Sequence, residues 1–114
     1  MLCPVTLEPR STTVNGVELA YLEQGDGPLA VCLHGFPDTA WTWRHLLPRL
    51  ADAGYRAVAP FNRGYAPSGT SPDGFYQPGA LAADANGLHE ALGGDGEAVV
   101  IGHDWGALAT YGAA

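Results

Sequence analysis

The feature that most restricts the fold is a repeat of short apolar runs, each followed by a stretch with helical spacing. Leu29–Leu33 is continuous and apolar, as a strand buried on both faces requires. Arg56–Pro60 and residues 98–101 are the next strand candidates. Two helical patterns separate them. Trp43, Leu46, Leu47 and Leu50 fall at i, i+3, i+4 and i+7 within residues 40–53, and Leu81, Ala85, Leu88 and Leu92 form one stripe within residues 78–92. Residues 105–114 begin a third helix. Strands alternating with helices in this way predict an α/β fold with a mostly parallel, doubly wound sheet.

Local signals refine that outline. Asn15-Gly16 separates two β-prone segments, residues 11–14 and 17–23, and predicts a hairpin on a type I′ turn, because both turn positions need positive φ. Pro48 fits poorly inside a helix, so the pattern over 40–53 is expected to break there, with Pro48 opening a second short helix. Gly54 suits the position just after that helix. Residues 61–77 are rich in Gly, Pro and Ser and read as a long loop, a length that in a compact domain is often functional. Gly93-Gly94-Asp95-Gly96 stops the helix over 78–92. With 114 residues there is room for one small domain. The chain stops inside its last helical pattern, so residues 1–114 are expected to be the N-terminal portion of a longer domain.

Composition narrows the function classes. Hydrophobic residues make up 46%, enough for a core, while charged residues are only 15%, which suggests surfaces meant to be covered. Five Lys+Arg against twelve Asp+Glu give a formal charge of −7, which repels phosphate backbones and anionic lipids. No nucleic-acid or membrane partner is expected. Of the two cysteines, Cys32 lies in an apolar run and Cys3 near the N-terminus, so no disulfide framework is expected and a reducing compartment fits. No signal-peptide pattern and no apolar stretch near the ~18 residues of a membrane span is seen, and the expected location is cytoplasmic.

The chemistry concentrates in Gly102-His103-Asp104-Trp105-Gly106, which joins a buried run to a helix. Small–x–nucleophile–x–small is the pattern of a nucleophile elbow, a turn so sharp that Gly102 and Gly106 must lack bulk. It pushes the central side chain out at the carboxyl end of the sheet, where open α/β sheets bind ligands. The central residue here is an aspartate. A carboxylate is already ionised at neutral pH and can attack an sp³ carbon directly, giving an alkyl ester that water must hydrolyse. Backbone N–H groups at the helix start should keep the Asp104 pKa low. The competing role for Asp104 is a helix cap, which leaves the paired glycines unexplained. His103 is expected to be a packed or supporting residue rather than the base, since neighbours on an elbow point in different directions. No Cys/His ligand spacing occurs, so neither a metal nor a cofactor is expected.

His34-Gly35-Phe36-Pro37 follows the first buried run, where an oxyanion loop belongs. Gly35 would let the backbone approach the site, and Pro37 would stiffen the turn, with a cis bond before it as one option. The N–H groups of Phe36 and Trp105 could then hold an oxyanion forming on the Asp104 carboxyl. His34, at the strand end, is expected to order the loop. His45 and His89 have no partner signal.

Residues 34–38 (HGFPD), 43–60 (WRHLLPRLADAGYRAVAP), 63–65 (RGY) and 102–107 (GHDWGA) together resemble epoxide hydrolases of the α/β-hydrolase fold, over nearly the whole chain from Val14 onward. The resemblance implies Asp104 as nucleophile, with the Phe36 and Trp105 N–H groups as oxyanion hole. It further implies a small hydrophobic epoxide as substrate, and a cap domain with tyrosines, a distal His and an acid, all beyond the elbow. Haloalkane dehalogenases share the elbow but usually carry Asn where this chain has Phe36. Fluoroacetate-type dehalogenases commonly carry Arg where it has Trp105. Relatives often read Asp-x-Arg-Gly-Tyr-Gly-x-Ser where this chain has Phe61 to Ser68. The Asp and the second Gly are replaced by Phe61 and Ala66, and altered bracing of the loop is expected. Three readings stay open: an epoxide hydrolase, a dehalogenase taking a halide through the same ester, and a catalytically incomplete fragment or pseudo-enzyme with exposed sheet edges.

Overall fold

The computed structural model describes residues 8–36, 38–70 and 74–113. Five strands form one mixed sheet: β1 (Arg10–Val14), β2 (Val17–Gln24), β3 (Leu29–Leu33), β4 (Arg56–Pro60) and β5 (Val99–Gly102), in the order β1-β2-β4-β3-β5. The hairpin supplies the antiparallel part, β1 on β2 and β2 on β4, while β4, β3 and β5 run parallel. The hairpin closes on the Val14↔Val17 pair, with φ of 51° at Asn15 and 77° at Gly16, as a type I′ turn needs.

Helices cover both faces. A 3-10 turn (Ala40–Trp43) and α1 (Leu46–Asp52) lie on one side, and α2 (Pro78–Ala91) and α3 (Trp105–Ala113) on the other. The period-two alternation of the strands divides the core accordingly. Val17, Leu19, Tyr21, Val31, Leu33 and Val58 meet Leu81, Ala85 and Leu88 of α2 and Ala109 of α3. Ala20, Leu22, Cys32, Ala57 and Ala59 meet Ala40, Leu47 and Phe61. The α1 side is built largely from small residues. The α2 side is built from branched ones, and each fully buried Leu or Val there contributes roughly 1.5–3 kcal/mol. Cys32 is a free, buried thiol, and burial pushes its pKa up to about 12. Cys3 lies outside the described residues.

Two expectations need correction. The break in the first helical region falls at residues 44 and 45, not at Pro48, which sits in the first turn of α1. The first four N–H groups of a helix have no partner within it, so Pro48 removes no hydrogen bond there. The run over residues 98–101 forms a strand shifted by one residue and only partly buried, with Val99 37% exposed. It pairs with β3 on one side and is the last strand in the sheet, so burial on both faces does not follow from its apolar sequence. Gly54 ends α1 as expected, with φ 95° and a Tyr55 N–H to Leu50 carbonyl bond of 3.0 Å closing the turn. Among the described residues, no helix is long and apolar enough to cross a membrane.

Candidate active site

Only His103 and Asp104 separate the end of β5 from the start of α3. The turn is held from both sides. The His103 N–H bonds the Leu33 carbonyl at 3.2 Å, extending the β3–β5 ladder, and the Gly106 N–H returns to the His103 carbonyl at 2.9 Å. A β-carbon at Gly102 would strike Thr110 Oγ1 and the Gly106 carbonyl, and one at Gly106 would strike the Leu33 carbonyl. Both glycines are therefore required by space. Asp104 takes a left-handed φ of 58°, a conformation in which L-residues are strained and which tends to persist at functional sites.

The Asp104 carboxylate faces backbone donors. Its Oδ2 accepts the N–H of Phe36 at 3.0 Å, and the carboxylate also accepts the N–H of Trp105. These two bonds, that of Phe36 first, hold its pKa below the ordinary carboxylate value. Slight desolvation opposes them, and the charge of His103 adds to them. A helix cap would have extended backbone and accept from the second or third helical N–H. Asp104 does neither. Gly35 explains how the Phe36 N–H gets so close: a β-carbon there would run into Asp104 Cβ and stand 2.7 Å from Oδ2.

His34 is fully buried at the end of β3. Its Nε2 accepts the Asn62 N–H at 2.9 Å, so the proton sits on Nδ1, which donates to the Gly35 carbonyl at 2.8 Å. Burial, partly offset by the Gly35 bond and the charge of Asp38, lowers its pKa. The ring also meets Tyr65 edge-on, with centroids 4.9 Å apart. His34 thus ties the loop after β3 to Asn62 and Tyr65. His103 is exposed rather than packed, on the turn after β5, the last strand of the sheet among the described residues. His45 is exposed, and His89 bonds the Asp95 carbonyl at 3.0 Å. The expectations for Pro37 lie outside the described residues. Among those described, no three His, Cys, Asp or Glu side chains gather into a group able to hold a metal.

The loop after β4 contributes residues that sequence reasoning missed. Arg63 and Asp84 form a buried ion pair, Nε to Oδ2 at 2.6 Å and Nη2 to Oδ1 at 2.7 Å, and Arg63 Nη1 donates to the Phe75 carbonyl at 3.0 Å. Asn15 Nδ2 reaches the same carboxylate at 3.2 Å, so the hairpin, the loop and α2 share one anchor. Ser68 Oγ accepts the Ala20 N–H at 2.8 Å and donates to the Phe61 carbonyl at 2.7 Å. Asn62 Nδ2 donates to the His34 carbonyl at 3.0 Å, tying this loop to the one that carries Phe36. Phe61 is buried, with its ring 6.3 Å from that of Trp41. An RGY motif followed by an acidic residue on the next helix was the available signal for the ion pair.

Between the two loops lies a cleft of ≈ 570 Å³, lined by Phe36, Tyr65, Tyr76, Leu81 and Trp105, with Asn62 and Arg63 among its other walls. A carboxylate with a depressed pKa, held by backbone N–H groups at a sharp strand-to-helix turn, thus stands beside this cleft at the carboxyl end of the parallel strands, where open α/β sheets bind ligands.

The chain belongs to the α/β hydrolase fold family, whose model matches residues 28–111. It is 46% identical over 101 residues to an epoxide hydrolase of Caballeronia sordidicola, covering 88% of this chain and 30% of that protein. To epoxide hydrolase A of Mycobacterium tuberculosis it is 43% identical over 108 residues, covering 91% of this chain and 33% of that one. Among solved structures, epoxide hydrolase A from Mycobacterium thermoresistibile superposes with a TM-score of 0.86 at 44% identity, over 95% of this chain and 34% of that one. An epoxide hydrolase from Vigna radiata gives 0.86 at 37% identity, over 94% of this chain and 35% of that one. The chain thus spans about a third of the length of the relatives it matches.

Proposed function

We propose that the protein is a hydrolase of the epoxide hydrolase type, opening its substrate by attack of Asp104 on a ring carbon. One observation carries this reading: a left-handed aspartate between β5 and α3 whose Oδ2 is already held by the Phe36 N–H, 68 residues away in sequence. That leaves Oδ1 to attack. A bond forms from Oδ1 to the epoxide carbon, and the ring C–O bond breaks with its electron pair on oxygen, which takes up a proton. Water then adds to the ester carbonyl carbon. Negative charge develops on Oδ2, where the Phe36 N–H already stands; collapse then breaks the bond from the carbonyl carbon to Oδ1, releases a diol that carries Oδ1 away, and leaves the water oxygen in the restored carboxylate. The relatives named as epoxide hydrolases support the choice of substrate. The acid for the opening ring and the base for the water are roles that the resemblance gives to residues after the elbow.

A single turnover in ¹⁸O-labelled water tests the ester. The label is expected in the Asp104 carboxylate, because water attacks the enzyme's own carbonyl carbon. Label found only in the diol, with Asp104 unlabelled, would mean that water attacks the epoxide directly and would overturn the reading. Asp104→Ala is expected to lower kcat by at least about 10³-fold. On residues 1–114 alone the expected product is a lasting mass increase of one substrate, without turnover.

A further inference from the structure

Resting on that reading of Asp104, we propose that the cleft selects a neutral substrate carrying a flat aryl group, with Tyr76 as a specificity-determining residue. The walls nearest the nucleophile are aromatic. Phe36 and Trp105 lend their N–H groups to Asp104, and both residues, 64% and 44% exposed, line the same cleft. Tyr76 adds a further aromatic wall, set by the backbone under it. A β-carbon at Gly64 would stand 2.7 Å from Tyr76 Cε1 and 3.3 Å from Cδ1, so the ring rests on bare main chain at a residue with φ +84°. The ring remains 46% exposed. Rings prefer to meet other rings edge-on or offset, a geometry that a flat substituent can adopt and an alkyl chain cannot.

Charge points the same way. Arg63 lines the cleft, yet its guanidinium is buried and committed to Asp84 and to the Phe75 carbonyl. Asn62 is likewise committed to His34. These polar groups brace the loop and do not offer a carboxylate an open partner. The formal charge of −7 further disfavours an anion. A haloacid, which would arrive as a carboxylate, fits this cleft poorly.

The test compares kcat/KM for styrene oxide and for 1,2-epoxyoctane, an epoxide of equal carbon number without a ring, on the protein as its gene encodes it. The aryl substrate is expected to be preferred. Tyr76→Leu should cut the aryl-to-alkyl ratio about 3- to 10-fold, chiefly through KM, and Tyr76→Phe should hold it within about 2-fold. An unchanged ratio in Tyr76→Leu, a wild-type preference for the alkyl epoxide, or chloride release from chloroacetate as fast as epoxide opening would each overturn the proposal. Binding of 1-phenyl-1,2-ethanediol against 1,2-octanediol to Asp104→Asn, followed by tryptophan fluorescence, reads selectivity where no ester can form. An aryl preference there, with the ¹⁸O label absent from Asp104, sinks the ester and leaves the aryl selectivity of the cleft standing. Label in Asp104 with equal binding of both diols does the reverse.

Discussion

The two loops that flank the cleft are built on different principles. The loop after β3 is made of main chain: Gly35 clears the way, and the Phe36 N–H reaches Asp104 at 3.0 Å. The loop after β4 is made of side chains: Arg63 grips Asp84, Ser68 bridges Ala20 and Phe61, and Asn62 grips His34. In the first, a wrong residue fails because it occupies space. In the second it fails because it leaves a buried partner unsatisfied. The first loop therefore sets which donor reaches the Asp104 carboxylate, and the second sets how firmly the wall of the cleft stands.

That division can be broken from either side. Gly35→Ala inserts a β-carbon against Asp104 and should displace the Phe36 donor. Steady-state kinetics should show kcat falling about 10²- to 10³-fold, with a loss of stability smaller than that of Asp84→Ala. Asp84→Ala does the opposite. It strands the Arg63 charge in the interior and should cost about 3–5 kcal/mol in denaturant unfolding. If Gly35→Ala proved the more destabilising of the two, the division would fail. Ser68→Ala leaves the Ala20 N–H and the Phe61 carbonyl without that partner, a loss of about 1–3 kcal/mol by the same measurement. The smallest effect is on pH. His34 is held neutral in the fold with a pKa below its unfolded value of 6.5. The unfolded chain then binds more protons just below that value, so stability should be flat above it and decline as pH falls through it. Unfolding midpoints measured down through that window should show the decline, and His34→Gln should flatten it.

The same contrast explains what the sequence disclosed. Asn15-Gly16, Gly54 and the glycines of the elbow announce themselves because each meets a local demand on φ or on space. The Phe36–Asp104 pairing was legible because two local motifs, each tied to the end of a strand, must converge once the strands lie parallel. Arg63 and Asp84 sit 21 residues apart on a loop and a helix, and the RGY motif with an acidic residue on the next helix does not by itself say which carboxylate the arginine meets. The misplaced break at Pro48 has a similar origin. Proline is costly only where an N–H is needed, and which turn it occupies depends on where the helix starts. Val99 misled because an apolar run records the need for cover, not whether neighbouring strands supply it. The low share of charged residues carried the same message, now seen in Leu108 and Tyr111, which stand 50% and 81% exposed on α3.

Phe36 and Trp105 each hold two offices at once. Their amides face the carboxylate, and their rings face the cleft. An amide survives replacement of its side chain, so a substitution at either position changes the lining of the cleft and keeps the donor to Asp104. The wall of the cleft beside Asp104 can therefore be rebuilt without disturbing the main-chain donors that hold its carboxylate.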